Sequence, residues 1–190
     1  MIITRARWWT RRGRRDASSL SAPAVAAPPD PAAPSRYATT PKRPQFEGEH
    51  LPGNTVWRGS VVHYLCNEEL TRYRLTSRDG RLFDAEGEPF DTRDAHSHWS
   101  GDGSAIFVMH GNGAIYSSKQ HLVGRFHHSS LGQGQPVAGA GELVVHEGRL
   151  RVLTDHSSHY CPSRQFTRQV LDELAAGGVD TEALEVRLKY

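Results

Sequence analysis

Cysteine is almost absent from this chain. Cys66 and Cys161 are the only two, they lie far apart, and no C-x-x-C is present. That excludes a disulfide framework and a thioredoxin-type redox motif, and makes a reducing compartment the default expectation. Long apolar runs are missing too, so nothing reads as a membrane span. The N-terminal stretch lacks the apolar segment of a secretory signal. No β-α-β alternation and no repeat of solenoid length appear, which argues against doubly wound and repeat architectures.

Acidic residues are scarce at the start. Residues 1–45 carry nine Lys/Arg against Asp16 and Asp30, a net of +7, whereas the other residues carry 14 against 19, a net of −5. The overall +2 therefore joins a basic tail to a mildly acidic body, and the body does not read as a phosphate-binding surface. Residues 1–15 hold six arginines around Trp8-Trp9, and residues 16–44 are rich in Ala, Ser and Pro. Such a segment cannot bury enough apolar surface to offset its ordering entropy. The expected organisation is a disordered tail over 1–45 and a single globular domain over 46–190. The tail's composition fits a transit peptide, an effector-type export leader or a solvated basic tail. It leaves the compartment of a soluble protein open: cytoplasmic, exported or organellar. Docking of the Arg/Trp segment on an anionic membrane or on nucleic acid is the minor reading.

The body reads as hairpins followed by one helix. Val56–Gly59 is expected as a first strand, Glu68–Arg72 as a short helix or turn, and Tyr73–Thr76 as a strand. Asp79-Gly80 is a strong hairpin signal, with Arg81–Phe83 as its return. Residues 89–92 read as extended and 93–104 as a polar loop. Ala105–Met109 is a continuous apolar run, expected as a central buried strand, and Gly111–Gly113 turns it into Ala114–Tyr116. Phe126–Ser130 reads as a strand end running into a Gly-rich loop over 132–141. Glu142–Val145 and Arg149–Leu153 form a third hairpin across Glu147-Gly148. A helix from Pro162 to about Ala176 follows, with Phe166, Val170, Leu171 and Leu174 on one face and Gly177-Gly178 as its stop. Val179–Lys189 adds a last strand or short helix. The fold class expected is α+β: an antiparallel, hairpin-rich sheet with one C-terminal amphipathic helix packed on it.

Six of the eleven histidines fall between His121 and His159. Among them, His128-Ser129-Ser130 and His159-Tyr160 flank the third hairpin. A histidine beside a hydroxyl can act as its general base, or both can hold a polar ligand. The bland alternative is a buried polar network that pins a loop. Convergence on an open pocket would favour the first; burial with mutual hydrogen bonds would favour the second. His127, His146 and His156 read as bystanders, and His96 and His98 as solvent-exposed.

The residues Ile106-Phe107-Val108, Gly113–Tyr116, His128-Ser129-Ser130, Ala140-Gly141, the Val144–Leu150 hairpin and His159-Tyr160-Cys161-Pro162 stand in one collinear order. In this they resemble the core region of the plant IQ-motif-containing calmodulin-binding proteins, and related C-terminal segments of bacterial toxin- or effector-like proteins. The likeness covers roughly Asn54 to Leu184. For plant members it implies stress-linked partner binding. No I-Q-x-x-x-R-G helix exists in this chain, so calmodulin is not an expected partner. Ser158 stands where the family usually has Gly, and Glu142 matches only the bacterial-type segments.

Two further arrangements of residues point to other chemistries. Arg58, Ser129/Ser130 and Glu142 occur in the order of an ADP-ribosyltransferase-like site, in which Arg grips a phosphate of NAD, Ser orders the pocket and Glu stabilises oxocarbenium-like charge; the short Ser130–Glu142 spacing speaks against it. His128, His156, His159 and Cys161 are zinc-competent residue types, but their spacing is not a familiar ligand set, so no metal is expected. The leading expectation is therefore a domain that binds a small polar ligand or a protein partner around a His/Ser pocket formed by His128, Ser129, Ser130, His159 and Tyr160. The alternative is a toxin-like group-transfer enzyme using the same pocket with Glu142, and NAD as its cofactor at Arg58.

Overall fold

The computed structural model describes residues 33–190. The helix α1 (Asn67–Leu70) runs through a 3-10 turn (Thr71–Tyr73) into β1 (Arg74–Arg78) and β2 (Arg81–Phe83). A small ribbon, β3 (His96–Ser97) with β4 (Gly101–Asp102), precedes β5 (Ala105–Met109) and β6 (Ile115–Ser118). The one-turn helix α2 (His128–Leu131) follows, then β7 (Gly139–His146), β8 (Arg149–Thr154), α3 (Arg164–Ala176) and β9 (Glu185–Arg187). Seven strands form one sheet in the order β2-β1-β6-β5-β7-β8-β9. Every pair is antiparallel except β8 with β9. The α+β class expected from the sequence is the class observed.

The apolar run of β5 takes the centre because it is covered on both faces, and all five of its residues are buried. On one face Phe107 and Met109 join Leu143, Val145 and Leu153 beneath Val170 and Leu174 of α3. On the other, Ile106 and Val108 join Ala140 and Tyr116 against Leu131 of α2 and Tyr160. Strand alternation thus assigns α3 to one side and the His/Ser segments to the other. Asp79 and Gly80 both sit at positive φ (50° and 73°), as a tight two-residue hairpin requires.

Several local expectations are corrected. Val56–Gly59 is a series of turns, because the Asn54 side chain organises it: its amide donates to the carbonyls of Glu49, Leu51 and Ser60, and its oxygen accepts the Trp57 N–H. Such local side-chain bonds compete with strand pairing. Residues 89–92 make a single bridge, Phe83 to Pro89, and the 93–104 loop contains the β3–β4 ribbon. Phe126–Ser130 ends in α2, where the Ser130 hydroxyl accepts the His127 N–H at the start of the turn. Gly139–Gly141, expected in a loop, open β7: side-chain-free positions let Val170 of α3 and the Thr154 carbonyl of β8 come against the strand.

The folded unit also begins earlier than residue 46. Tyr37 and Arg36 donate to Glu173 of α3. Thr40 bridges Val137, and Lys42 is buried. Residues 36–45 therefore belong to the domain and not to a tail. The Arg/Trp segment lies outside the described residues. Among the described residues no helix is long and apolar enough to cross a membrane.

A Cβ on Gly141 would meet the Thr154 carbonyl, which is backbone and cannot swing aside. G141A is expected to destabilise the domain by about 1–3 kcal/mol, read as a lower urea midpoint with unchanged m-value.

Candidate functional site

The His/Ser face of the sheet is organised by a carboxylate. Glu49 follows a 3-10 turn (Pro44–Phe46); its own N–H bonds the Phe46 carbonyl and its carbonyl accepts the Val62 N–H. Its side chain is fully buried. Oε2 accepts the indole N–H of Trp57 at 2.9 Å and lies 3.0 Å from His159 Nε2; Oε1 accepts the Tyr64 hydroxyl at 3.0 Å. The Lys42 ammonium stands 3.9 Å from Oε1 and donates to the Phe46 carbonyl. Burial alone would raise the pKa of Glu49, but hydrogen bonds from His159 and Trp57, with the Ser129 hydroxyl nearby, overcome it and hold the pKa down at about 2. The Ser129 contribution is the loosest of these, since its hydroxyl reaches no partner at full hydrogen-bond geometry. The carboxylate is thus ionised and shared among three hydrogen-bond donors, with the Lys42 ammonium beside it.

Because a carboxylate only accepts, His159 gives it the proton on Nε2. That leaves Nδ1 buried with no partner. The His159 ring stacks on Phe46 with centroids 4.0 Å apart and tilts against His127 at 4.7 Å. His127 in turn stacks on Trp57 at 4.9 Å. Nε2 of His127 accepts the Gly124 N–H at 2.8 Å and His121 Nδ1 accepts the His98 N–H at 3.1 Å, while His127 Nδ1 lies 3.0 Å from His121 Nε2. Burial, then the neighbouring imidazoles, push His127 down to about 3 and His121 to about 4. His128 lies fully buried, held well below its ordinary range by desolvation, and donates from Nε2 to the Gly141 carbonyl at 2.9 Å. These are neutral rings locked in place.

The structure brings His128, Ser129, Ser130, His159 and Tyr160 together, but beneath the surface: each is at most 2% exposed. Ser130 caps α2, Tyr160 donates to the Gln135 carbonyl, and His128 and His159 are engaged. Only Ser129 Oγ and His159 Nδ1 lack a hydrogen bond in this set. An open concave pocket is not what these five side chains line. Arg58 sits apart, exposed in a turn at φ 43°, with no hydrogen bond or ion pair among the described residues. Glu142 points from β7 to the same face as Ala140, is 1% exposed, and neither of its oxygens has a hydrogen bond. Of the zinc-competent types, His128 and His159 are spent on Gly141 and Glu49. No cluster of three or more His, Cys, Asp or Glu among the described residues forms a metal centre.

Sequence reading missed Glu49, Trp57 and Tyr64 and discarded His127, which stands in the middle of the stack. One signal was present: Glu49 is an acid in an otherwise aromatic-punctuated stretch that holds Phe46, Trp57 and Tyr64.

Residues 69–166 match the model of a family described as the IQ motif-containing protein middle domain. Curated relatives from Arabidopsis thaliana include the IQ domain-containing proteins IQM2, 31% identical over 63% of this chain, and IQM4, 29% identical over 70% of it. The chain spans only 19% and 23% of those two relatives. No solved structure matches.

Acid should unfold this domain in two overlapping steps. Unfolded histidine binds protons below about pH 6.5, while folded His121 and His127 resist them down to about 4 and 3, so stability falls as pH drops through that window. Glu49 adds a second loss from its ordinary value of 4.5 toward 2. Urea midpoints from pH 8 to 4 should decline, with the decline starting near 6.5; a flat profile would refute the neutral stack. Cutting the carboxylate away in E49A, which strands His159 and Lys42, is expected to cost about 3–5 kcal/mol in the same assay.

Proposed function

Because the chain belongs to the IQ motif-containing protein middle-domain family, which the match over residues 69–166 establishes, we propose that it is a protein-partner-binding domain whose His/Ser network is the foundation of the binding face rather than its pocket. The observation that carries this reading is the surface directly above the network. Leu51, Val61, Leu122 and Val123 are 41–55% exposed. They are neighbours: the Asn54 amide ties the carbonyls of Leu51 and Ser60 together, and Gly124 packs against Trp57 and Ser60. Arg58 and Arg125 flank this apolar tip, and neither has an acidic partner among the described residues. Single exposed aliphatics need no explanation, but a contiguous group with a polar rim has the anatomy of an interface. The stack of half-buried Trp57 on buried His127 and His159 supports the tip, which lowers the ordering cost of association. The rim charge suits a partner segment with apolar side chains beside carboxylates. Calmodulin is not carried over, since the chain lacks the I-Q-x-x-x-R-G helix.

The group-transfer alternative asks a dinucleotide to reach Ser129, Ser130 and Glu142, all of which are at most 1% exposed. It would require the 154–160 loop to open, and no observation favours that. The effector-type reading rests on the resemblance in sequence alone.

Affinity capture from the source cells, with the wild-type domain beside L122S/V123S and R58E/R125E variants, tests the proposal. A defined partner should bind at fixed stoichiometry, lose at least about tenfold in affinity on removal of the apolar pair, and weaken with salt unless Arg58 and Arg125 are reversed. Equal capture by all three folded proteins would refute it, and NAD consumption by the wild type that E142Q abolishes would install the alternative.

A further inference from the structure

Arg74 is an arginine that the fold holds in place without giving it a counter-ion. It opens β1, and the cross-strand register sets it in one row with Tyr116, Val108 and Ala140. The next residue, Leu75, enters the core beneath α3, so strand alternation turns Arg74 toward the His/Ser side of the sheet. There its guanidinium carbon stands 5.3 Å from the centre of the Tyr116 ring, and Nη1 donates to the Tyr116 hydroxyl at 3.3 Å. Tyr116 is itself buried, so this cation–π contact positions the guanidinium firmly.

Donors outnumber acceptors at this point. Arg74 Nε is buried with no partner, and it is the only guanidinium nitrogen among the described residues in that condition. Nη2 has no hydrogen bond among the described residues either but, unlike Nε, it keeps contact with solvent. The Tyr116 oxygen accepts from Arg74, while its own O–H has no acceptor among the described residues. His110 packs on the same tyrosine ring at 4.8 Å and gives its Nε2 proton to the Leu131 carbonyl. Burial, and after it the charge of Arg74, hold His110 below its ordinary range, so that charge is felt by its neighbours rather than cancelled. Arg36, Arg93 and Arg187 each meet a carboxylate oxygen within 3.0 Å. Arg74 meets none among the described residues.

Buried donors are ordinarily paired, and the N–H groups of Nε and Nη2 form a planar fork that matches the two oxygens of a carboxylate or a phosphoryl group. The inner arm of this fork is dry and its outer arm is wet, so an anion reaches it from the surface. We propose that Arg74, with the Tyr116 hydroxyl beside it, is a binding site for an oxyanion: a carboxylate or phosphoryl group of a ligand. The anion accepts from Nη2 first and then draws Nε into the same contact. A single guanidinium makes a site for one such group, not a surface that tracks a nucleic-acid backbone. The site shares no residue with the apolar tip, so its existence does not depend on the partner-binding reading.

The test is an NMR titration of the full-length protein with sulfate, phosphate and acetate, at an ionic strength held constant with chloride. The Arg74 Nε–H signal and the backbone amides of Arg74 and Tyr116 should shift together and saturate. A response to acetate alone assigns a carboxylate ligand, and a response to sulfate and phosphate alone assigns a phosphoryl group. The amide shifts should report at least about tenfold weaker binding in R74M. R74K keeps the charge but lacks the fork, so it should also bind more weakly than wild type, and it serves as the test should R74M fail to fold. R72M, which removes an exposed arginine two residues away, should bind like wild type. Equal binding by wild type, R74M and R74K, or no saturable shift with any of the three anions, overturns the proposal. So does an equal loss in R72M, which assigns the response to surface charge in general.

Discussion

A single ionised carboxylate in the interior sets the terms for this domain. Glu49 is shielded from water on all sides, and an isolated charge there would be untenable. It is tenable because His159, Trp57 and Tyr64 point at it, and because Lys42 stands close behind. These partners come from three stretches of chain, the farthest 110 residues away. The charge therefore does what an apolar contact of the same size could not: it demands a particular set of donors at particular angles. Remove one, and the cost is an unmet charge rather than a small void. The loop from Phe46 to Tyr64 has no strand or long helix of its own, so this centre, together with Asn54, is what gives it a shape.

The histidines follow from that centre. His159 is oriented by Glu49, and His127 packs against both its ring and Trp57, which lie 6.3 Å from one another. So many imidazoles within a few ångströms of one another cannot all be charged, and burial keeps those with the lowest affinity for protons neutral. A cluster that looks reactive in sequence is in this way inert in place. Its contribution to function is mechanical. The Leu122–Val123 tip and the Trp57–Val61 turn rest on a packed aromatic stack, so the apolar face they present is preformed. An exposed loop without such support would lose much of any association energy to its own ordering.

What was legible in the sequence was what local chemistry decides. The β5 run, the Asp79-Gly80 and Glu147-Gly148 turns and the α3 face each carry their signal within a few residues, and each appears where the pattern puts it. The convergence of His128-Ser129-Ser130 with His159-Tyr160 was also readable, because both segments flank one hairpin. Whether they lined a pocket or a core was not, since that depends on what covers them. The cover is the 36–64 segment, whose Pro/Ala-rich approach resembles a tail and whose strands are absent. Helix α2 escaped notice because four residues carry no period; it exists through Ser130 and through complete burial. β9 stood open between strand and short helix because it pairs parallel to β8 after the α3 crossover, a long-range choice that no turn signal announces.

Two buried glutamates now stand in contrast on the same side of the sheet. Glu49 has every lone-pair direction that matters occupied by a donor from the chain, so its placement is explained by architecture alone. Glu142 has none, although its strand is central, its neighbours are well packed and its backbone is fully paired. Packing cannot account for that difference, because an apolar side chain at 142 would fill the same space without the electrostatic cost. Nor can the histidine stack, since His159 and His128 are engaged by Glu49 and the Gly141 carbonyl and His127 by Gly124 and His121. The fold therefore spends its own donors on one carboxylate and leaves the other facing an imidazole 3.9 Å away.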